Sequence, residues 1–107
     1  INFTGLDADS PSVNVNDGNP HLVVTTVDIG TDTIRFFVDG SEVTATKTDQ
    51  SSISNILAGT APVCVGGRTD GSNRLNGHMA EALIYDRNLT LREIQVIENH
   101  LLHKYGI

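Results

Sequence analysis

"RLNGHMAEALIYDRNLTLREIQVIENHLLHKYG" occupies residues 74–106 and decides how the whole chain is read. Its first part patterns as a strand. Met79, Leu83 and Tyr85 fall on one face, and Ala80, Ala82 and Ile84 on the other, because successive side chains of a strand alternate. Its second part patterns as a helix. Leu91, Ile94, Ile97, Leu101 and Leu102 form an apolar stripe ending at Tyr105, the spacing of a helix with one buried side. Thr90 and Glu93 make the pair of a capping box. His103 and Lys104 stand at the negative end of the macrodipole, and Gly106 suits the position just past the helix. A half-wet antiparallel strand alternates apolar and polar residues. This one is apolar on both faces, so cover is expected on both: an opposing sheet on one, and the returning helix as a lid over part of the other or over one end.

Upstream the chain reads as strands and turns. Residues 1–20 are rich in Asp, Asn, Ser, Gly and Pro. Ile1 with Phe3, and Val13 with Val15, predict two short strands separated by loop. "HLVVTTVD" (21–28) is β-branched and predicts a strand. "TIRFFV" (33–38) predicts another, with Ile34, Phe36 and Val38 on one face and Thr33, Arg35 and Phe37 on the other. Asp39-Gly40 then separates it from "SEVTATKT". That dipeptide suits a type I′ hairpin turn, in which both residues need positive φ. "DQSSISNILAG" predicts a loop carrying Ile53, Ile56 and Leu57 into the core. "APVCVGG" predicts a short strand with Cys64 as a buried, inert thiol, and "RTDGSN" a polar loop. Gly77 is a candidate bulge in the strand that follows.

Composition narrows the function. The chain has 107 residues, room for one domain. Seven basic residues against thirteen acidic give a net charge of −6. Nucleic acid is excluded as a partner, since phosphate recognition needs a basic stripe. No apolar run reaches the roughly 20 residues of a membrane span, so membrane insertion is not expected. One cysteine rules out an internal disulfide and a Cys-based zinc site. The absence of an initial Met suggests processing or a fragment.

The run "HLVVTTVDIGTDTIRFFVDGSEV", then "VGGR", then "LNGHMAEALIYDRNLTLREIQVIENHLLHKYG" resembles laminin-G-like, concanavalin A-like jelly-roll domains. The "YVDG"-type hairpin of that family corresponds to Phe37 through Gly40, and the double glycine to Gly66 and Gly67. The "NG-x-x-x-E-x-x-x-Y" strand corresponds to Asn76 through Tyr85, and the closing "KYG" to Lys104 through Gly106. The resemblance spans about His21 to Gly106. Two departures stand out: complete domains of this family are longer, and the Trp that often precedes the hairpin strand is missing, since the chain has none.

The resemblance implies a mainly β fold, an antiparallel β-sandwich of the jelly-roll type, with one C-terminal helix. The expected layout is a single domain over residues 1–107, or its C-terminal portion: a loop-rich lead-in at 1–20, strands at 21–86 and the helix at 90–105. A jelly roll uses about eight strands, and six or seven are counted here. The sandwich is therefore expected to be incomplete, finished by a neighbouring chain or by a missing N-terminal segment.

The resemblance further implies a non-enzymatic, lectin-like carbohydrate-binding or adhesion module. It would work outside the cell, at a cell surface or on a virion, with a glycan or another protein as partner. The alternative is a structural or interaction module of a larger surface assembly. An enzyme is not expected: glucanases of this sandwich use clustered carboxylates in an E-x-D-x-x-E pattern, and no such triplet occurs. Glu81 stands alone among apolar neighbours and reads as a structural carboxylate, paired as buried charges are. The candidate ligand-binding residues are Arg68, Asp70 and Asn73, in the polar loop. Asp7, Asp9 and Asp70 are weak candidates for calcium, set against the simpler reading of turn-forming Asx residues. No cofactor is required. His100 and His103 share a helix face with no carboxylate to complete a metal site, and read as a solvated surface.

Overall fold

The computed structural model describes residues 2–3, 6–9, 14–31, 33–43, 46–47 and 62–107. Six strands and one helix occupy them: β1 (Asn2–Phe3), β2 (Leu6–Asp9), β3 (Val23–Asp28), β4 (Thr33–Val38), β5 (Ser41–Val43), β6 (Thr46–Lys47) and α1 (Leu91–Tyr105). They form two antiparallel three-stranded sheets, ordered β1-β2-β6 and β3-β4-β5.

The second sheet is the better formed. β3 and β4 pair from Val23 with Val38 through to Asp28 with Thr33. β4 and β5 pair from Phe36 with Val43 to Val38 with Ser41. Only Asp39 and Gly40 separate that last pair, with φ of 51° and 84°, the two positive values a type I′ turn requires. Both faces of β4 are covered, as neighbouring Phe36 and Phe37 point opposite ways and are 5% and 3% exposed. On the Phe37 face the Arg35 guanidinium lies 5.2 Å from the ring centroid and grips Glu42 through two hydrogen bonds of 2.7 and 2.6 Å. The pair is diagonal across β4 and β5, within reach of long side chains.

The helix begins and ends as its sequence predicts. Thr90 accepts a bond from the Glu93 amide, and the Glu93 carboxylate accepts one from the Thr90 amide at 2.8 Å. Gly106 closes the helix in the left-handed conformation, its amide donating to the Leu102 carbonyl. Ile94 and Leu101 are buried. Leu102 Cδ1 lies 3.4 Å from the point where a side chain at Gly40 would begin, so the helix reaches the hairpin tip. Leu91 at the head of the stripe is exposed, and Glu98 within it is 2% exposed.

Residues 74–86 correct the expectation of a long strand. They pair with no described strand. Met79, Leu83 and Tyr85 are about half exposed and Ile84 is 70% exposed, so neither face is covered in the way the alternation suggested. "APVCVGG" is likewise not a strand where it is described, and Cys64 is exposed rather than buried. The physical reason is shared: a strand exists only with a ladder partner, and none of the described strands lies beside these segments. With no ladder, Gly77 is not a bulge. The lead-in also differs. Leu6–Asp9, read as loop, is strand β2 and pairs with β1 and β6, while Val15 is exposed and outside any strand. Val13, Ile53, Ile56 and Leu57 lie outside the described residues.

Candidate functional site

The polar loop after Gly67 is built from its own backbone. The Gly71 amide donates to the Arg68 carbonyl at 2.9 Å, the Arg68 amide to the Ser72 carbonyl at 3.0 Å, and the Leu75 amide to the Gly66 carbonyl at 2.7 Å. Asp70 Oδ1 accepts from the Ser72 amide at 2.8 Å and from the Ser72 hydroxyl at 2.6 Å. These are the local bonds by which Asp shapes turns. The bonds to Ser72 hold the Asp70 carboxyl below its ordinary range, so it is ionised near neutral pH. Arg74 Nε donates to the Gly71 carbonyl at 2.7 Å. Gly71 (φ 80°) and Asn73 (φ 50°) take positive φ, which Gly and Asn tolerate best.

The three ligand candidates of the sequence thus lie on one tightly bonded loop. Arg68, Asp70 and Asn73 are all exposed there. Such a loop can present a guanidinium, a carboxylate and an amide, each able to hydrogen-bond in pairs. The calcium candidates are not gathered in the same way. Asp7 and Asp9 belong to β2, with their side chains outside the described part. Among the described residues no group of three His, Cys, Asp or Glu side chains is placed to hold a metal.

Glu81 is exposed rather than buried, yet it is paired. Its Oε2 accepts from Lys104 Nζ at 2.8 Å and from the Tyr105 hydroxyl at 2.7 Å. Lys104 also lies over the Tyr105 ring at 5.1 Å. Bonds from Lys104 first, and Tyr105 second, pull the Glu81 carboxyl below its ordinary value. A general acid needs the opposite shift. The two stretches that carried the resemblance, "NGHMAEALIY" and "KYG", therefore meet in space at this carboxylate.

Two features escaped the sequence reading. His21 bridges two carboxylates, with Nδ1 2.7 Å from Asp39 Oδ2 and Nε2 3.0 Å from Asp17 Oδ1. No motif announces this, since it depends on the hairpin bringing Asp39 beside the start of β3. Glu98 is buried with Oε1 unpartnered among the described residues, and burial raises its pKa. Its signal was present: Ile94, Glu98 and Leu101 follow the spacing of one helix face. An open depression of about 300 Å³ lies between Tyr85 and the first turns of α1, with Arg87, Leu89, Val96 and Ile97 around it.

The model of the laminin-G-like family described as the concanavalin A-like lectin/glucanases superfamily matches residues 3–95. The chain belongs to that superfamily. The match takes in the lead-in, where β1 and β2 lie, which the resemblance drawn from the sequence had left out. It ends inside α1, so the "KYG" close of this superfamily member falls beyond the matched residues. No curated protein and no solved structure matches the chain. The superfamily groups lectins with glucanases, so membership supports a lectin-like or binding module while leaving its specific activity to the site itself.

Proposed function

We propose that this domain is a non-enzymatic carbohydrate-binding or adhesion module acting outside the cell, at a cell or virion surface. The loop of residues 68–73 carries the reading. Its exposed Arg68, Asp70 and Asn73 sit on a backbone already fixed by internal bonds, so a ligand would meet groups that need little further ordering. Sugar hydroxyls both donate and accept, and this trio offers donors and acceptors side by side. The state of Glu81 supports a binding role over hydrolysis: it is tied to Lys104 and Tyr105 and held ionised. A glycan array probed with and without calcium is the test. Binding to a defined glycan supports the module, and calcium dependence would assign the module a metal as well.

A second reading has its own observation. Val63, Val65, Ile84 and Val96 are each more than half exposed, and exposed apolar side chains suit a surface that packs against a neighbour where they form one patch. On that reading the domain is a structural or interaction module of a larger assembly. No glycan bound under either condition, together with a stable subunit contact in light scattering, would favour it.

A further inference from the structure

Among the described residues, His21 is the side chain that bonds to both the lead-in and the hairpin tip. Asp17 belongs to the lead-in of residues 14–20, which is exposed throughout. Asp39 belongs to the turn between β4 and β5. The lead-in is shaped by its own short-range bonds, from the Asn16 amide to Asn14 and from the Asn19 amide to Asp17 Oδ1. These curl it without fastening it to the sheet. Among the described residues, the side chain that fastens it to the hairpin tip is the imidazole.

An imidazole with both nitrogens protonated donates twice; a neutral one donates once and presents a lone pair on the other side. Here each nitrogen faces a carboxylate oxygen, at 2.7 and 3.0 Å. Only the protonated ring satisfies both. On losing its proton it must release one carboxylate, because a lone pair facing a carboxylate at that distance is repulsive. The two sides are not equally free to move. Asp39 is pinned by two further bonds: its Oδ1 accepts from the Leu22 amide at 2.8 Å, and its own amide donates to the Leu22 carbonyl at 2.9 Å. Asp17 is held, among the described residues, by bonds from Asn19 within its own turn.

We propose that His21 is a proton-operated latch: protonated, it clasps the lead-in of residues 14–20 to the hairpin tip through Asp17 and Asp39, and on deprotonation it keeps Asp39 and lets the lead-in go. Asp17 and Asp39 are the charged groups that act on the ring among the described residues. Bonds to Asp39 first, then Asp17, raise the His21 pKa above 6.5, which moves the release up into a higher pH range. The bond to His21 likewise leads in holding the Asp17 carboxyl down at about 2, so Asp17 stays ionised throughout that range.

The test is a pH titration of the isotopically labelled full chain by NMR, following the His21 ring and the amides of Asp17, Gly18, Asn19 and Gly40. The expected result is a His21 midpoint above 6.5, with the Asp17, Gly18 and Asn19 amides shifting at that same midpoint while Gly40 keeps its place. In Asp17→Asn, an exposed and conservative change, the His21 midpoint falls and the lead-in amides stop following it. Lead-in amides that ignore the His21 titration in the wild-type chain would overturn the latch, whether or not the variant folds. So would a hairpin tip that moves instead, or an unchanged His21 midpoint in Asp17→Asn.

Discussion

The Tyr105 hydroxyl donates to Glu81 Oε2 at 2.7 Å across 24 positions of sequence, and Lys104 Nζ donates to the same oxygen at 2.8 Å. One carboxylate oxygen thus ties the unpaired stretch of residues 74–86 to the last turn of the helix. Glu81→Ala is expected to lower the melting temperature and to loosen that stretch, read as faster amide exchange at Ala80 through Leu83. Tyr105→Phe, which removes one of the two donors, should give a smaller effect of the same sign.

The helix start carries a pH dependence with a definite direction. Bonds from Arg87, chiefly, and from the Thr90 amide lower the Glu93 pKa from 4.5 to about 2. A depressed carboxylate contributes stability above its unfolded pKa and loses it as pH falls through the folded one. Helicity followed by circular dichroism should therefore decline as pH drops below 4.5 toward 2. Glu93→Gln should flatten that decline and lower helix stability at neutral pH.

Glu98 runs the other way. Its pKa is raised by burial, so ionising it costs stability that grows as pH rises from 4.5 through the folded value. Glu98→Leu removes an uncompensated buried carboxylate and is expected to stabilise the domain by about 1–3 kcal/mol at neutral pH, the range for an unsatisfied buried group. Thermal melts across pH are the measurement. A destabilised Glu98→Leu would show that the carboxyl is satisfied after all.

Packing predictions follow from burial. Ile94→Ala and Leu101→Ala should each cost about 2–5 kcal/mol, the range for emptied core sites, because both side chains are buried. Gln95→Ala, on the exposed side of the same helix, should cost little. Urea unfolding of the three variants makes the comparison. Equal, small effects would mean that the helix does not dock.

In the loop, Asp70→Ala should abolish any glycan or calcium binding shown by the wild-type chain. It removes the acceptor of the two Ser72 bonds, so Ser72→Ala belongs beside it: binding lost in the first and kept in the second would assign the effect to the carboxylate as a contact. Binding that survives Asp70→Ala would move the site elsewhere.

What could be read from sequence was local. The Asp39-Gly40 turn and the Thr90–Glu93 cap were both legible because each is decided within four residues, by the φ values a turn needs or by the donors a helix leaves bare. The fates of residues 74–86 and of Cys64 were not. Apolar alternation reports that a segment could be buried as a strand, but the ladder belongs to a pair of segments, and the partner has no mark in the segment itself. Glu98 shows a third case. Its position on the stripe was legible, but a search for apolar residues passes over a carboxylate. The loop of Arg68, Asp70 and Asn73 was legible as polar and turn-forming, while the bonds that stiffen it needed coordinates.

The nearness of Leu102 to the Gly40 tip has a kinetic consequence. The β3-β4-β5 meander and the capped helix each form from near neighbours in sequence, whereas this approach brings together positions about 60 residues apart. Closing a flexible loop costs entropy that grows with the logarithm of its length, and contacts of long sequence separation slow folding. The docking of helix on hairpin is therefore expected to be the late event of refolding. Trimming Leu102 should then speed unfolding more than it slows folding, which would make this side chain a handle on how long the native state lasts, separate from how readily it forms.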